Sequence, residues 1–198
     1  MDAAPLFLLT SLVLVGSPGP NTLSLASLGA AIGARRGLPY MVGLNLGMVG
    51  VIVLVGSGLS AIVLSFPGVA PVVTMAATAY LIYLAYRIAT APPLGATSAA
   101  PALGSRWYAG VALSLTNPKA YIAVAAVFSR YSLMPDNEIA DEFAKGALLL
   151  VTIVLVNVLW LAAGSMLGRS VDDPIVGRLV NICFAGLLIL SVAVASFR

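Results

Sequence analysis

The feature that most constrains the fold is the length of the apolar stretches, which leave almost no helical face polar. Hydrophobic residues make up 61% of the 198 residues and charged residues only 9%, whereas about a quarter of a soluble domain is charged. A helix that is apolar on all sides is typical of a membrane span. The sequence therefore predicts an all-α integral membrane protein surrounded by a lipid bilayer.

Six apolar stretches reach the roughly 20 residues that a helix needs to cross a bilayer. They cover about residues 5–34, 38–64, 71–89, 107–133, 143–167 and 175–196. A connector at about 91–105, rich in Pro, Ala, Gly and Ser, predicts a flexible loop between the third and fourth spans. We therefore expect one domain over 1–198, made of two repeats at about 4–90 and 106–198.

The distribution of Lys and Arg predicts the orientation of these spans. The loops after the first, third and fifth spans carry six basic residues (Arg35, Arg36, Arg87, Arg106, Arg169 and Arg178). The opposite side carries three (Arg130, Lys145 and Arg198). The positive-inside rule then places both termini outside. The two three-helix repeats would be inverted relative to each other, as in many secondary transporters.

Two proline motifs interrupt the first and fourth spans, namely Ser17-Pro18-Gly19-Pro20-Asn21 and Thr116-Asn117-Pro118-Lys119. Proline removes a backbone donor and breaks a helix. Broken backbone at membrane depth is tolerated only where it is buried in protein or lines a water-filled cavity. Each motif places a proline, Pro20 or Pro118, where it can start a new half-helix. Asn117 is a favoured N-cap residue, and the amide of Asn21 is free to point into a cavity.

The two motifs together predict a solute-binding site. The N-terminus of a half-helix attracts anions, and Lys119 adds a charge at a depth where charged residues are usually functional. A carboxylate or another anionic group is the ligand that this electrostatics favours. The predicted substrate-binding residues are Pro18, Gly19, Pro20, Asn21, Thr22, Asn45, Tyr80, Asn117, Pro118, Lys119 and Asn157, with Ser24 as a further neutral partner.

Each of these features also has a purely structural interpretation. The breaks could be packing kinks, and the Lys119 side chain could reach along its helix to water. Asn45 and Asn157 could be hydrogen-bonded to hold helices together, and Gly43 and Gly47 have the spacing of a close helix contact. That contact could equally hold a homodimer. Tyr80, Tyr83 and Tyr86 are three positions apart and share a helix face. Such a stripe of tyrosines could line a pore or could pack against a neighbouring helix.

The sequence excludes several kinds of chemistry. Its one cysteine, Cys183, and its lack of histidine exclude an intrachain disulfide, a Cys/His metal site and a membrane redox enzyme with paired cysteines. No nucleophile and base pair occurs within a span, so we predict no enzyme, no catalytic residue, no metal and no cofactor. The scattered basic residues do not suit nucleic acid. Cys183 is expected to be a small buried side chain. The N-terminal apolar run lacks the basic n-region of a secretory signal, and we therefore expect it to be retained as the first span.

Three segments resemble the LysE/RhtB amino-acid exporter family. They are Pro18-Gly19-Pro20-Asn21, the run from Ala79 to Leu84 followed by Arg87, and Thr116-Asn117-Pro118-Lys119-Ala120. The resemblance implies a bacterial inner-membrane protein that exports amino acids or their derivatives, driven by the proton-motive force. The chain departs from the family at Val127-Phe128-Ser129-Arg130-Tyr131, where members often have a Leu-Pro-Gln-Phe-like segment.

Together these observations predict a secondary transporter that exports a small amino acid by rocking of its two repeats. A non-transporting membrane scaffold and a passive channel remain the alternatives. Asn45 stands where some members of the family have an ionisable residue, and no Asp, Glu or His lies within a predicted span. Without an acidic proton carrier, three alternatives remain. A neutral Lys119 could carry the proton, the substrate itself could carry the exchanged charge, or transport could be facilitated diffusion. The same absence favours neutral amino acids over cationic ones.

Overall fold

Helices form all the regular secondary structure in the computed structural model, which describes residues 3–58, 68–90, 106–171 and 173–196. In chain order they are α1 (Ala3–Gly16), α2 (Pro20–Ile32), α3 (Ala34–Gly56), α4 (Val69–Ala89), α5 (Trp107–Thr116), α6 (Pro118–Arg130), α7 (Glu138–Ser170) and α8 (Pro174–Ser196). The prediction of an all-α membrane protein is confirmed.

The first and fourth spans are bent at the proline motifs. The axes of α1 and α2 differ by 60° and those of α5 and α6 by 62°, and each pair is apolar enough to cross a bilayer as one span. Helices α3 and α7 are each long and apolar enough to cross alone. The predicted breaks are therefore confirmed. Six spans in two inverted repeats stay a prediction, and both the connector at 91–105 and the end of the predicted second span lie outside the described residues.

The described helices meet at two ends of the molecule that pack differently. At the first, which we call the Tyr131 end, the start of α1 lies beside Tyr131, which follows α6, and the same core cluster includes side chains of α3 and α7. Thr10 Oγ1 lies 2.7 Å from the hydroxyl of Tyr131, and the ring of Phe7 stands edge-on to that of Tyr131 at 6.0 Å. Side chains fill this end of the molecule.

At the opposite end, which we call the Gly164 end, backbones touch through glycine. A Cβ on Gly164 would lie 2.7 Å from the backbone carbon of Ala26, and Gly168 lies equally tightly against Ala30. Helices α2 and α7 therefore pack without side chains between them, which only small residues allow.

The predicted helix-packing role of Gly43 and Gly47 is confirmed within the chain. Gly43 faces the backbone of Trp107, and a Cβ on Gly47 would lie 2.7 Å from that of Ser114. This pair of glycines thus holds α3 against α5. Because α5 covers the Gly43 and Gly47 face of α3, this face offers no surface for a second copy of the chain. The homodimer stays a prediction, and the glycine spacing no longer supports it.

Helix α7 begins before the predicted fifth span. That span was expected to start at about residue 143, and the helix begins at Glu138. Asn137 caps it, since its side chain accepts a hydrogen bond from the backbone N–H of Ala140 at 3.0 Å, and acidic residues in a first turn favour a helix. Asp141, Glu142 and Lys145 are therefore helical.

These three residues form a largely buried ion cluster at the Tyr131 end. Lys145 Nζ lies 2.9 Å from Asp141 Oδ2 and 2.5 Å from Glu142 Oε1, and it donates to the carbonyl of Phe128 at 3.2 Å. Asp141 also accepts the backbone N–H of Met134 at 2.7 Å. The cluster thus ties the start of α7 to the end of α6.

Replacing Lys145 with Met should destabilise the protein by about 3 kcal/mol at most. The buried Asp141 would lose its cationic partner but keep the backbone N–H of Met134, and the Glu142 side chain, one-third exposed, can turn to water. The measurement is the melting temperature of the purified protein in detergent. Arg130→Met is the control, since Arg130 is exposed at the end of the neighbouring helix. Equal melting temperatures for the two variants would contradict a stabilising role for the cluster.

Cys183 does not follow the prediction that it is buried. It is exposed on α8, whereas Asn181, Ala185 and Leu188 on the same helix are buried. These three residues are spaced by four and three and share one helix face, and position 183 lies on the other side. The apolar composition of α8 could not show which face is buried.

Candidate solute-binding site

The two helix breaks are in direct contact. Asn117 Nδ2 donates to Asn21 Oδ1 at 3.0 Å, and Asn21 Nδ2 donates to Ser114 Oγ at 3.1 Å. Ser114 Oγ in turn donates to the carbonyl of Leu44 on α3 at 2.9 Å. A chain of polar side chains thus joins the two halves where their helices are interrupted.

Both half-helices begin as their residues predict. Helix α2 starts at Pro20 and helix α6 at Pro118. Asn117 caps α6 by accepting the backbone N–H of Lys119 at 3.1 Å, and Thr22 Oγ1 accepts the backbone N–H of Gly19 at 2.9 Å. The predicted positions of both prolines and the N-cap role of Asn117 are confirmed.

Lys119 crosses from the second break to the first. Its Nζ donates to the carbonyl oxygen of Ser17 at 2.6 Å and to that of Pro18 at 3.2 Å. A Cβ on Gly19 would lie 2.8 Å from Lys119 Cδ and 2.9 Å from its Nζ. Glycine at this position therefore leaves the space through which the lysine reaches the two carbonyls.

Two residues at the breaks were not singled out by sequence reasoning. Trp160 Nε1 donates to the carbonyl of Gly16 at 3.2 Å, and Ser114 links Asn21 to α3. Each lies three residues, about one helical turn, from a predicted residue, Asn157 or Asn117. That spacing is the signal in the sequence that could have found them.

A cavity of about 40 Å³ lies beside the two breaks. Seven of the predicted site residues line it: Gly19, Pro20, Asn21, Thr22, Asn117, Lys119 and Asn157. Apolar side chains of α1, α3, α6 and α7 form the rest of its wall, among them Leu14, Met48, Ala123 and Ile153. Since α1 and α6 run from the breaks toward the Tyr131 end, the cavity lies on that side of the breaks.

Four predicted residues are not in the cavity wall. Asn45 stands behind it, where it accepts a hydrogen bond from Asn157 Nδ2 at 2.7 Å. Tyr80 lies away from it and donates to the carbonyl of Ala109 at 3.1 Å. Pro18 contributes its carbonyl to Lys119, and Pro118 starts α6. Ser24, the further neutral partner, is likewise not in the wall and donates to the carbonyl of Asn21 at 2.8 Å.

The fold and the paired breaks define a helical membrane protein with a small, mainly apolar cavity between two interrupted spans, into which one lysine and several amides also reach. The chain belongs to the LysE type translocator family, whose model matches residues 12–197. The resemblance predicted from the proline motifs is thereby confirmed.

Related proteins match over nearly their whole length. An uncharacterised membrane protein of Vibrio cholerae is 29% identical over 185 residues, which is 91% of this chain and 90% of the relative. A cysteine/O-acetylserine efflux protein of Escherichia coli O139:H28 is 27% identical over 180 residues, 90% of each chain. A protein of the same description from Salmonella typhimurium is 25% identical over the same shares. No solved structure matches the chain.

Proposed function

We propose that the protein is a secondary transporter, not an enzyme, that exports a small neutral amino acid or amino-acid derivative across the bacterial inner membrane. The observation that carries this proposal is the cavity between two broken helices, with one cationic side chain and several amides in its wall. Relatives described as cysteine/O-acetylserine efflux proteins support the choice of substrate class.

The composition of the cavity wall favours neutral substrates. Its described residues include Lys119, Asn21, Asn117 and Asn157 but no carboxylate. A basic substrate side chain would find no counter-ion there, and an unpaired charge in such a site is costly. The apolar wall instead suits a short uncharged side chain.

The packing of the two ends supports a particular state of the transport cycle. Exposed basic residues, Arg35, Arg36 and Arg106, lie at the Gly164 end, which the positive-inside rule places in the cytoplasm with both termini outside. This end is closed by backbone contacts, and the cavity lies toward the outer end. At about 40 Å³ the cavity exceeds the roughly 10–15 Å³ that a single water molecule needs but is small for an amino acid, so we expect substrate binding to widen it. We propose that rocking of the two repeats opens the Gly164 end for loading.

Export from proteoliposomes tests this function. Vesicles containing the purified protein and loaded with labelled O-acetyl-L-serine should release it faster than protein-free vesicles. A protonophore should slow release if protons drive export. Identical leakage with and without protein, over a broad panel of amino acids, would contradict the proposal and favour a scaffold.

Replacing Asn117 with Ala should reduce this transport at least about tenfold. The change removes a helix cap worth about 1 kcal/mol and also the hydrogen bond to Asn21 that joins the breaks. Asn137→Ala is the matched control, because it removes an Asn cap from α7 outside the cavity. Equal transport in the two variants would show that the second break is only structural.

A further inference from the structure

We propose that the backbone carbonyls of Ser17 and Pro18 form an ammonium subsite, which Lys119 occupies in the absence of substrate and yields to the α-ammonium group of the substrate. This inference rests on the proposed function and adds how the substrate is recognised. The displaced Lys119 then pairs with the substrate carboxylate.

The position of the two carbonyls suits a cation. They directly follow Gly16, the last residue of α1, and therefore lie at the negative end of the helix dipole. The carbonyl of Ser17 also accepts a long hydrogen bond from Thr22 Oγ1 at 3.4 Å. The carbonyl of Gly16 is already taken by Trp160. The carbonyls of Ser17 and Pro18 receive the ammonium of Lys119 at 2.6 and 3.2 Å. An ammonium group thus already occupies this site, supplied by the protein itself.

The occupant is tethered but replaceable. Lys119 is only half-buried, it comes from α6 beyond the second break, and its long side chain can leave the carbonyls without movement of the backbone. A free amino acid offers the same group, a primary ammonium with three donors. Its carboxylate offers Lys119 a new partner. The exchange leaves neither cation unpaired, which matters because an uncompensated charge in such a site is costly.

The second break has no equivalent exchange. At the end of α5 the carbonyl of Leu115 accepts the hydroxyl of Tyr121 at 3.0 Å, and Tyr121 belongs to the half-helix that follows that same break. This hydroxyl is uncharged. If the substrate ammonium displaced it, no positive charge would become free to pair with the substrate carboxylate. The geometry therefore assigns the ammonium to the first break alone.

Chemical rescue tests the subsite without transport. Lys119→Ala removes the occupant and leaves its space, so propylammonium should raise the melting temperature of this variant in detergent, increasingly with concentration. 1-Propanol and tetramethylammonium, which lack the charge or the N–H donors, should not. Wild type, whose lysine fills the site, and Lys119→Met, whose side chain fills the space, should not respond. No rise in Lys119→Ala, or an equal rise in wild type, would overturn the subsite.

Competition in proteoliposomes tests the role of the substrate. Unlabelled O-acetyl-L-serine should inhibit transport of the labelled compound by wild-type protein at least tenfold more potently than 3-acetoxypropionate, which lacks only the ammonium group. Equal potency would overturn the inference while leaving the exporter function intact. Absence of any transport would instead contradict the proposed function, and the rescue experiment would still decide whether the carbonyls bind ammonium.

Discussion

Replacing Lys119 with Met is expected to reduce amino-acid export at least about tenfold with the helical fold retained. A hydrogen bond to a charged group contributes about 1.5–3 kcal/mol, and each 1.4 kcal/mol is tenfold in affinity. Lys119 is the one cationic side chain among the described residues of the cavity wall, and methionine removes the charge while keeping an unbranched side chain only one atom shorter. The measurement is release of labelled O-acetyl-L-serine from proteoliposomes with equal amounts of inserted protein.

Tyr80→Phe is the control for this experiment. It also alters a residue that the sequence predicts to bind substrate, but the structure places the tyrosine hydroxyl on the carbonyl of Ala109, outside the cavity wall. Transport by Tyr80→Phe should stay near that of wild type. Wild-type transport by Lys119→Met, or equal losses in both variants, would contradict the assignment of the site to the breaks.

Replacing Gly164 with Ala is expected to lower the yield and melting temperature of the folded protein sharply. The added Cβ would lie 2.7 Å from the backbone carbon of Ala26, so α2 and α7 must move apart. Overpacking costs about 1–3 kcal/mol, and more where backbone has to shift. The measurement is thermal unfolding in detergent, followed by loss of the monodisperse peak on size-exclusion chromatography.

Gly186→Ala is the matched control, because a Cβ at Gly186 on α8 would meet nothing within 4 Å. Both substitutions improve helix propensity by about 1 kcal/mol, so the difference between them reports the helix contact alone. If the two variants melted at the same temperature, the close approach of α2 and α7 would not contribute to stability.

Local chemistry made the breaks predictable from the sequence. Pro20 and Pro118 fix where the second half of each span begins, and Asn117 has the side chain that caps such a start. These rules depend on neighbouring residues only, and α2 and α6 begin where the rules place them. The apolar composition likewise was sufficient to predict the fold class.

Contacts between distant residues were beyond such rules. Nothing local indicates that Lys119 bonds the carbonyl of Ser17, because that contact joins residues about 100 positions apart. The early start of α7 was missed because Asp141 is polar and lies before the apolar stretch, whereas its pairing with Lys145 lets it be buried in the helix. Tyr80 shared a helix face with two tyrosines, but that periodicity does not show what the face contacts.

Protection of a cysteine in the cavity is the most direct test of the central claim that the broken helices bind the transported solute. Ala123 lines the cavity, so Ala123→Cys in a Cys183→Ala background places a single thiol there. A small methanethiosulfonate reagent should modify this thiol several-fold more slowly when O-acetyl-L-serine is present. Gly186→Cys in the same background, on the exposed face of α8, should react at one rate in both conditions. Unchanged modification of Ala123→Cys, in protein that still transports O-acetyl-L-serine, would place the solute elsewhere and contradict the account.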